Sequence, residues 1–220
     1  MPHSSQTGFF ITFEGSEGCG KSTQIRRLES ALESAGHPPL LVREPGGTAI
    51  GERIREILQY SKESLAMVPE AELLLFAASR AQLVREIILP ALAEGRTVIS
   101  DRFLDSTTVY QGVARKLSST DVEAINLFAA GPRKPDITFL MDMDSALAMT
   151  RTKSRGGEKF DRMEQLPAAF YEAVRNGYLD AAGREPERFR ILDASLDEET
   201  ISAQILNELR RHGHFQGIRI

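Results

Sequence analysis

Apolar residues along the chain fall into two alternating kinds of run. Gly8–Glu14 reads Gly-Phe-Phe-Ile-Thr-Phe-Glu, nearly continuous and of strand length, as in strands covered on both faces of a parallel sheet. From Lys21 to Ala35 the period changes: Ile25, Leu28 and Leu32 recur at helical spacing, and Gly36 stands where a helix can end. Pro39–Arg43 is a second short strand, Glu44–Thr48 breaks the pattern with Pro-Gly-Gly, and Ile50, Ile54, Ile57 and Leu58 mark another helix. A long helix is predicted from near Pro69 to about Ala93, with Leu73, Ala77, Val84, Ile88 and Ala91 as its core stripe.

Gly95 closes that helix, and Thr97–Ser100 forms a third strand ending at Asp101. Helical spacing returns at Asp105–Gln111 and Thr120–Ala130, then Pro135-Asp136 turns the chain into a fourth strand, Ile137–Met141. A helix starts at Ala146–Thr150 and runs into the basic stretch Arg151–Lys159. Gln165 to Ala182 is helical, Phe189–Leu192 is the fifth strand, and Glu198 to Arg211 is the last helix. Strands alternating with helices imply right-handed crossovers, hence an α/β fold with a five-stranded parallel sheet and helices on both faces. No repeat or low-complexity linker interrupts residues 1–220, so one domain is expected.

Composition narrows the function classes. The 220 residues are 41% hydrophobic and 26% charged, ordinary globular usage. No run approaches the roughly 20 apolar residues needed to span a bilayer, and the polar start Met1–Thr7 lacks the basic region of a secretory signal. Lys and Arg number 27 against 31 Asp and Glu, a net charge of −4, which speaks against broad binding to nucleic acid. The one cysteine, Cys19, has no partner within the chain and suits a reducing compartment; a cytoplasmic protein is expected. His3, His37, His212 and His214 lie near the termini or a turn without zinc spacing, and read as surface residues.

Gly15-Ser16-Glu17-Gly18-Cys19-Gly20-Lys21-Ser22 matches Gly-x-x-x-x-Gly-Lys-Ser/Thr without a gap, between a buried strand and a helix. Glycines let backbone N–H groups close on phosphate oxygens, and the helix beginning at Lys21 turns its positive end to the same anion. Lys21 can reach the β- and γ-phosphates and the Ser22 hydroxyl can ligate Mg²⁺. Cys19, at a small-residue position, reads as packing rather than as a reactive thiol.

A phosphate loop alone does not separate kinases from switches, motors or ATPases. Further segments cluster at strand ends: Arg43-Glu-Pro-Gly-Gly-Thr48 after strand two, Asp101-Arg-Phe-Leu-Asp-Ser106 after strand three, then Tyr110-Gln-Gly. Phe76 and Arg80 stand at i, i+4 on the long helix. The carboxyl ends of neighbouring strands converge on one crevice, so these segments would line it beside the loop. With Leu-Leu-Phe-Ala-Ala-Ser-Arg80 and the Phe-Asp-Arg-Met-Glu164 after the basic stretch, the order of motifs from Gly8 to about Ile205 resembles the bacterial thymidylate kinases.

That resemblance implies the three-layer P-loop NTPase fold and transfer of the ATP γ-phosphoryl group to dTMP, with Mg²⁺ and a homodimer. It implies that Glu17 contacts the sugar 3′-hydroxyl, Phe76 stacks on thymine, Arg80 hydrogen-bonds a base carbonyl, Gln111 pairs with the thymine edge and Tyr110 crowds out a ribose 2′-hydroxyl. Residue type alone leaves bland readings open: a helix-entry acid for Glu17, core packing for Phe76 and Tyr110. Asp101 would organise Mg²⁺, Arg102 would meet the transferred phosphoryl group, and Arg43 would lie near the dTMP phosphate or else pair with Glu44 or Asp101. Pro45 has a cis or a trans bond that sequence does not decide.

The basic stretch Arg151–Lys159 reads either as a solvated charged loop or as a lid, expected at about residues 151–160. In-line transfer spreads negative charge over equatorial oxygens, and the phosphate loop has no arginine between Gly15 and Lys21. By resemblance Arg155 supplies that cation and Arg151 flanks adenine and phosphates; the choice among Arg151, Lys153 and Arg155 stays open. Another P-loop nucleoside monophosphate kinase is the main alternative. A nucleotide-dependent binding module or a plain ATPase leaves more of the motifs unused.

Overall fold

A computed structural model of the chain describes residues 8–61, 64, 66–154, 166–218 and 220. At its centre is a five-stranded parallel sheet in the order β2-β3-β1-β4-β5. The strands are β1 Phe9–Glu14, β2 Leu40–Arg43, β3 Thr97–Asp101, β4 Ile137–Asp142 and β5 Phe189–Asp193. β1 is central and buried throughout, which is why its sequence is apolar rather than alternating. Phe9, Ile11 and Phe13 face one layer, joining Ile25, Leu28 and Leu32 of α1 (Lys21–Ser34) and Ile201, Ile205 and Leu209 of α9 (Glu198–Arg210). Phe10 faces the other layer, against Leu83, Val84 and Ile88. Each such side chain fully buried contributes roughly 1.5–3 kcal/mol.

Period 2 then has a consequence at the tip of the strand. Thr12 and Glu14 share the Phe10 face, where Thr12 hydrogen-bonds Thr138 across to β4 at 2.8 Å and Glu14 meets the chain that follows β3. β1 pairs with β3 from Phe9↔Thr97 to Phe13↔Asp101. The phosphate loop and the Asp101–Ser106 segment therefore leave the sheet side by side.

The remaining helices are α2 Ala49–Gln59, α3 Pro69–Leu83, α4 Leu89–Ala93, α5 Leu104–Thr107, α6 Ser119–Ala130, α7 Ser145–Ser154 and α8 Ala168–Arg184. The long helix expected from Pro69 to Ala93 is one continuous helical run with a π-helical turn at Val84–Ile88 between α3 and α4. Pro90 explains the turn: it has no N–H for the carbonyl four residues back and its ring crowds that carbonyl, so the chain widens locally and Leu89 N–H bonds Val84 O instead. The expected stripe of Leu73, Ala77, Val84, Ile88 and Ala91 is buried. A second π-helical stretch, Thr108–Ala114, carries Tyr110 and Gln111 where a regular helix was expected.

One expectation about the C-terminal end needs correction. His212 and His214 are half-buried: both pack on Phe9, the His214 ring stacking at 5.3 Å between centroids. The C-terminal segment beyond, without an expected role, buries Phe215 in the core and lays Ile218 and Ile220 against it.

Candidate active site

The phosphate loop wraps the start of α1. Gly18 shows why glycine is needed: its φ is +77°, and a Cβ there would stand 2.3 Å from the carbonyl oxygen of Ala148 and 2.6 Å from the Thr152 hydroxyl. α7, which leads into the expected lid, is thus packed directly on the loop. At Gly15, φ +133°, a Cβ would stand 2.6 Å from the Met141 carbonyl oxygen near the end of β4. Lys21 folds back over the loop and its Nζ donates to the carbonyls of Gly15 (2.9 Å) and Ser16 (2.8 Å). Cys19 is buried, its thiol donating to Ser16 O at 2.9 Å, as expected of a packing residue. Ser22 is exposed at the head of α1.

Across the loop lies Arg102, a non-glycine residue held at φ +71°. Its Nη2 donates to Glu17 Oε1 at 2.8 Å and to the Tyr110 hydroxyl at 3.2 Å, and Nη1 to Ser106 Oγ and the Tyr178 hydroxyl. Tyr110 in turn donates to both carboxylate oxygens of Glu17. Burial works against the Arg102 charge, but Tyr110, Glu17, Tyr178 and Glu14 around it outweigh that and hold its pKa well above the ordinary value. Burial drives the Tyr110 and Tyr178 hydroxyls upward, so both act here as neutral donors.

Glu14 completes this group, and sequence reasoning gave it no role. Its Oε1 accepts Phe103 N–H at 2.8 Å; its Oε2 accepts the hydroxyls of Ser106 (2.6 Å) and Tyr178 (2.7 Å). Burial, helped by nearby Asp105, raises its pKa from 4.5 to about 7 against the opposing pull of Arg102 and the two hydroxyls. An acid closing an otherwise apolar strand was the available signal. Tyr178, far along on α8, had none.

Phe76 and Arg80, expected to meet the base, are built on α3. Glu72, Phe76 and Arg80 are four residues apart and share one face. Phe76 is half-buried, which leaves ring surface for stacking. Arg80 is 1% exposed: Nε donates to Glu44, Nη1 to Asn126, and Nη2 to Thr107 and the Phe103 carbonyl. Burial nevertheless raises the pKa of Glu44, with Arg80 pulling the other way. Arg80 is thus first a buried anchor between α3, α6 and the β3 turn. Nη1 has Asn126 as its partner among the described residues. Gln111 is also buried, its Nε2 donating to Glu72 Oε1 at 2.7 Å.

Arg43 pairs with neither Glu44 nor Asp101. Both carboxylate oxygens of Glu52 on α2 accept from its Nη2, at 2.9 and 2.8 Å, and this exposed pair closes the Pro-Gly-Gly turn through Gly47 N–H to Glu52 at 2.7 Å. The Gly47 hydrogen bond, with Arg43 beside it, lowers the Glu52 pKa. The Glu44–Pro45 bond is cis. Asp101 is half-buried at the tip of β3. Arg151 reaches the other rim, Nη1 donating to Ala194 O at 3.1 Å beyond β5. Arg155 and the rest of the expected lid past Ser154 lie outside the described residues.

A phosphate loop between β1 and α1, on a parallel sheet whose β1 and β3 tips lie side by side, defines a P-loop nucleotide-binding protein. The comparisons narrow the class. A family model described as thymidylate kinase matches residues 13–205. A thymidylate kinase of Deinococcus radiodurans is 45% identical over 207 residues, covering 94% of this chain and 98% of the relative. That of Desulfosudis oleivorans is 48% identical, covering 92% and 96%. A crystal structure of thymidylate kinase from Ehrlichia chaffeensis superposes with a TM-score of 0.74 at 32% identity, over 92% of this chain and 98% of that one. The chain belongs to the thymidylate kinase family and has its P-loop NTPase fold.

Proposed function

We propose that the protein transfers the γ-phosphoryl group of ATP to dTMP, giving dTDP and ADP. The observation that carries this reading is the bond from Arg102 to Glu17, which joins the phosphate loop to the segment after β3 and so supports donor and acceptor meeting there. A phosphate oxygen of dTMP attacks the γ-phosphorus in line, and the bond from that phosphorus to the β–γ bridging oxygen breaks. No general base is required, because the second ionisation of a phosphate monoester lies near pH 6. Catalysis is alignment plus neutralisation of charge. Lys21 moves its ammonium from the Gly15 and Ser16 carbonyls to the phosphates, and Arg102 bridges acceptor and transferred group.

Ser22 and Asp101 are the residues for Mg²⁺: an exposed hydroxyl at the head of α1 and a carboxylate at the β3 tip, two hard oxygen donors of the kind that ion takes alongside phosphates and water. Bound there, it would neutralise charge on the phosphate oxygens. Glu17 and Tyr110, locked to each other, present a carboxylate to the 3′-hydroxyl and a ring edge to C2′. Phe76 stacks on the base, Arg80 and Gln111 read its edge, and Arg43 remains near the acceptor phosphate through the turn it closes. Arg151 and Arg155 belong to the lid of a single catalytic domain.

We further read the protein as a cytoplasmic homodimer. Leu74 on α3 and Leu127 and Phe128 on α6 are exposed, Phe128 by 82%, and these helices pack side by side. Among the described residues no helix is long and apolar enough to cross a membrane. The test of function is ADP release measured with dTMP, dUMP, dCMP, AMP and thymidine as acceptors. Preference for dTMP is expected; preference for another monophosphate would move the protein to a different nucleotide kinase, and release indifferent to acceptor would make it an ATPase.

A further inference from the structure

Oxygen and nitrogen of a glutamine amide have nearly the same shape, so only its partners decide which way it faces. For Gln111 the partner is Glu72, buried on α3 one turn before Phe76. Glu72 is ion-paired with Arg115, whose Nε donates to Oε1 at 3.3 Å and Nη2 to Oε2 at 3.1 Å. An ion-paired carboxylate accepts hydrogen bonds and has none to give. The Gln111 nitrogen must therefore face Glu72, as the 2.7 Å contact has it, and the carbonyl oxygen is what remains for a ligand.

The position of this amide relates it to the base. Its neighbour Tyr110 is bonded to Glu17 on the phosphate loop, and Glu72 shares the α3 face that carries Phe76 and Arg80. Gln111 thus lies between the sugar side and the stacking side of the crevice. We propose that Glu72 is a positioning residue for specificity: it fixes Gln111 with its carbonyl oxygen toward the base and so selects a pyrimidine whose N3 carries a proton. Thymine and uracil have that N3–H. Cytosine has a lone pair at N3, which would face the Gln111 oxygen acceptor to acceptor. The inference rests on the reading that Gln111 meets the base edge.

The measurement is kcat/KM for dTMP, dUMP and dCMP. Glutamine at position 72 can donate as well as accept, which lets the Gln111 amide turn over. In Glu72→Gln the dTMP to dCMP ratio is expected to fall by about tenfold or more, a part of the roughly 10⁴-fold discrimination that hydrogen-bonding sites reach. The dTMP to dUMP ratio should stay at its wild-type value, since both bases carry the N3 proton. Equal losses on dTMP and dCMP would reduce Glu72 to a packing role and overturn the proposal. Should Glu72→Gln fail to fold, Glu72→Asp keeps an acceptor-only group: a dTMP to dCMP ratio kept near wild type, together with a fall of that ratio in Arg115→Met, which frees the carboxylate of its ion pair, supports the inference, and a ratio unchanged in both variants overturns it. Gln111→Met separates the premise. If Gln111→Met leaves dTMP kinetics unchanged, Gln111 does not read the base and both statements fall; if it impairs dTMP while Glu72→Gln leaves the ratio intact, only the role of Glu72 falls.

Discussion

Arg102 and Glu17 meet at 2.8 Å across the crevice, one from the turn after β3 and the other from the phosphate loop. Both side chains are largely buried, at 17% and 20% exposed, and the pair serves placement. Arg102 has two further anchors on Nη1, in Ser106 and Tyr178, and a planar fork satisfies all of these at once. Removing one preorganised cation or donor of this kind costs about 10²–10³ in rate. Arg102→Ala is expected to lower kcat by that order in steady-state assays, and Arg102→Lys to recover little, because an ammonium cannot reproduce the fork. Recovery by lysine would reduce Arg102 to a point charge.

Lys21 is the only cation between Gly15 and Ser22, so charge on the equatorial oxygens needs a second source. Arg155→Ala is expected to lower kcat strongly, on the scale of the 10³–10⁵ that arginine fingers contribute, while calorimetric dTMP affinity stays near wild type. A matching loss of dTMP affinity would move Arg155 to the acceptor phosphate.

Much of this was legible in the chain. Runs such as Phe9–Glu14 are apolar because both faces are covered, and strand positions followed from that alone. The phosphate loop and the strand-end motifs are local in sequence, so they could be read directly. Contacts that close the site are not local. Arg80 meets Glu44 and Asn126 over 36 and 46 residues, and Tyr178 reaches Glu14 over 164; no spacing rule links such pairs. Arg43 shows the same limit at short range. Its chain neighbour Glu44 and its cross-strand partner Asp101 lose to Glu52, which α2 carries back over the turn.

Arg80 was expected at the base and is found with its guanidinium almost wholly enclosed. Truncating it strands the Glu44 carboxylate, whose Oε1 has no partner among the described residues. Breaking a buried pair from one side costs about 3–5 kcal/mol. Arg80→Ala should show that loss in urea unfolding together with a raised KM for dTMP. Unchanged stability with only KM affected would mean that Arg80 serves the ligand and not the fold.

Phe128, 82% exposed on α6 next to exposed Leu127, is a large apolar side chain with water as its only cover in a lone chain. A charge there has little to disturb within the subunit. Phe128→Asp is expected to leave the melting temperature of the subunit fold nearly unchanged and to shift sedimentation from dimer to monomer. A wild-type protein that already sediments as a monomer would exclude this face as a subunit contact.

Glu14 gives a prediction in which stability and activity part company. Its folded pKa of about 7 stands above the ordinary 4.5, so between those values the folded protein holds a proton that the unfolded chain releases. The stabilising contribution is therefore fully present below about pH 4.5 and is lost as pH rises through about 7. Glu14→Gln has no proton to lose. Its stability relative to wild type should rise between pH 5 and pH 8, by up to about 3 kcal/mol, in urea unfolding followed at both values. The same variant should be slow, because an amide cannot accept from Phe103, Ser106 and Tyr178 together and the Arg102 turn loses its anchor. A stability difference that does not change with pH would mean that Glu14 ionises like an exposed acid, and that the desolvated clamp at the end of β1 does not form in solution.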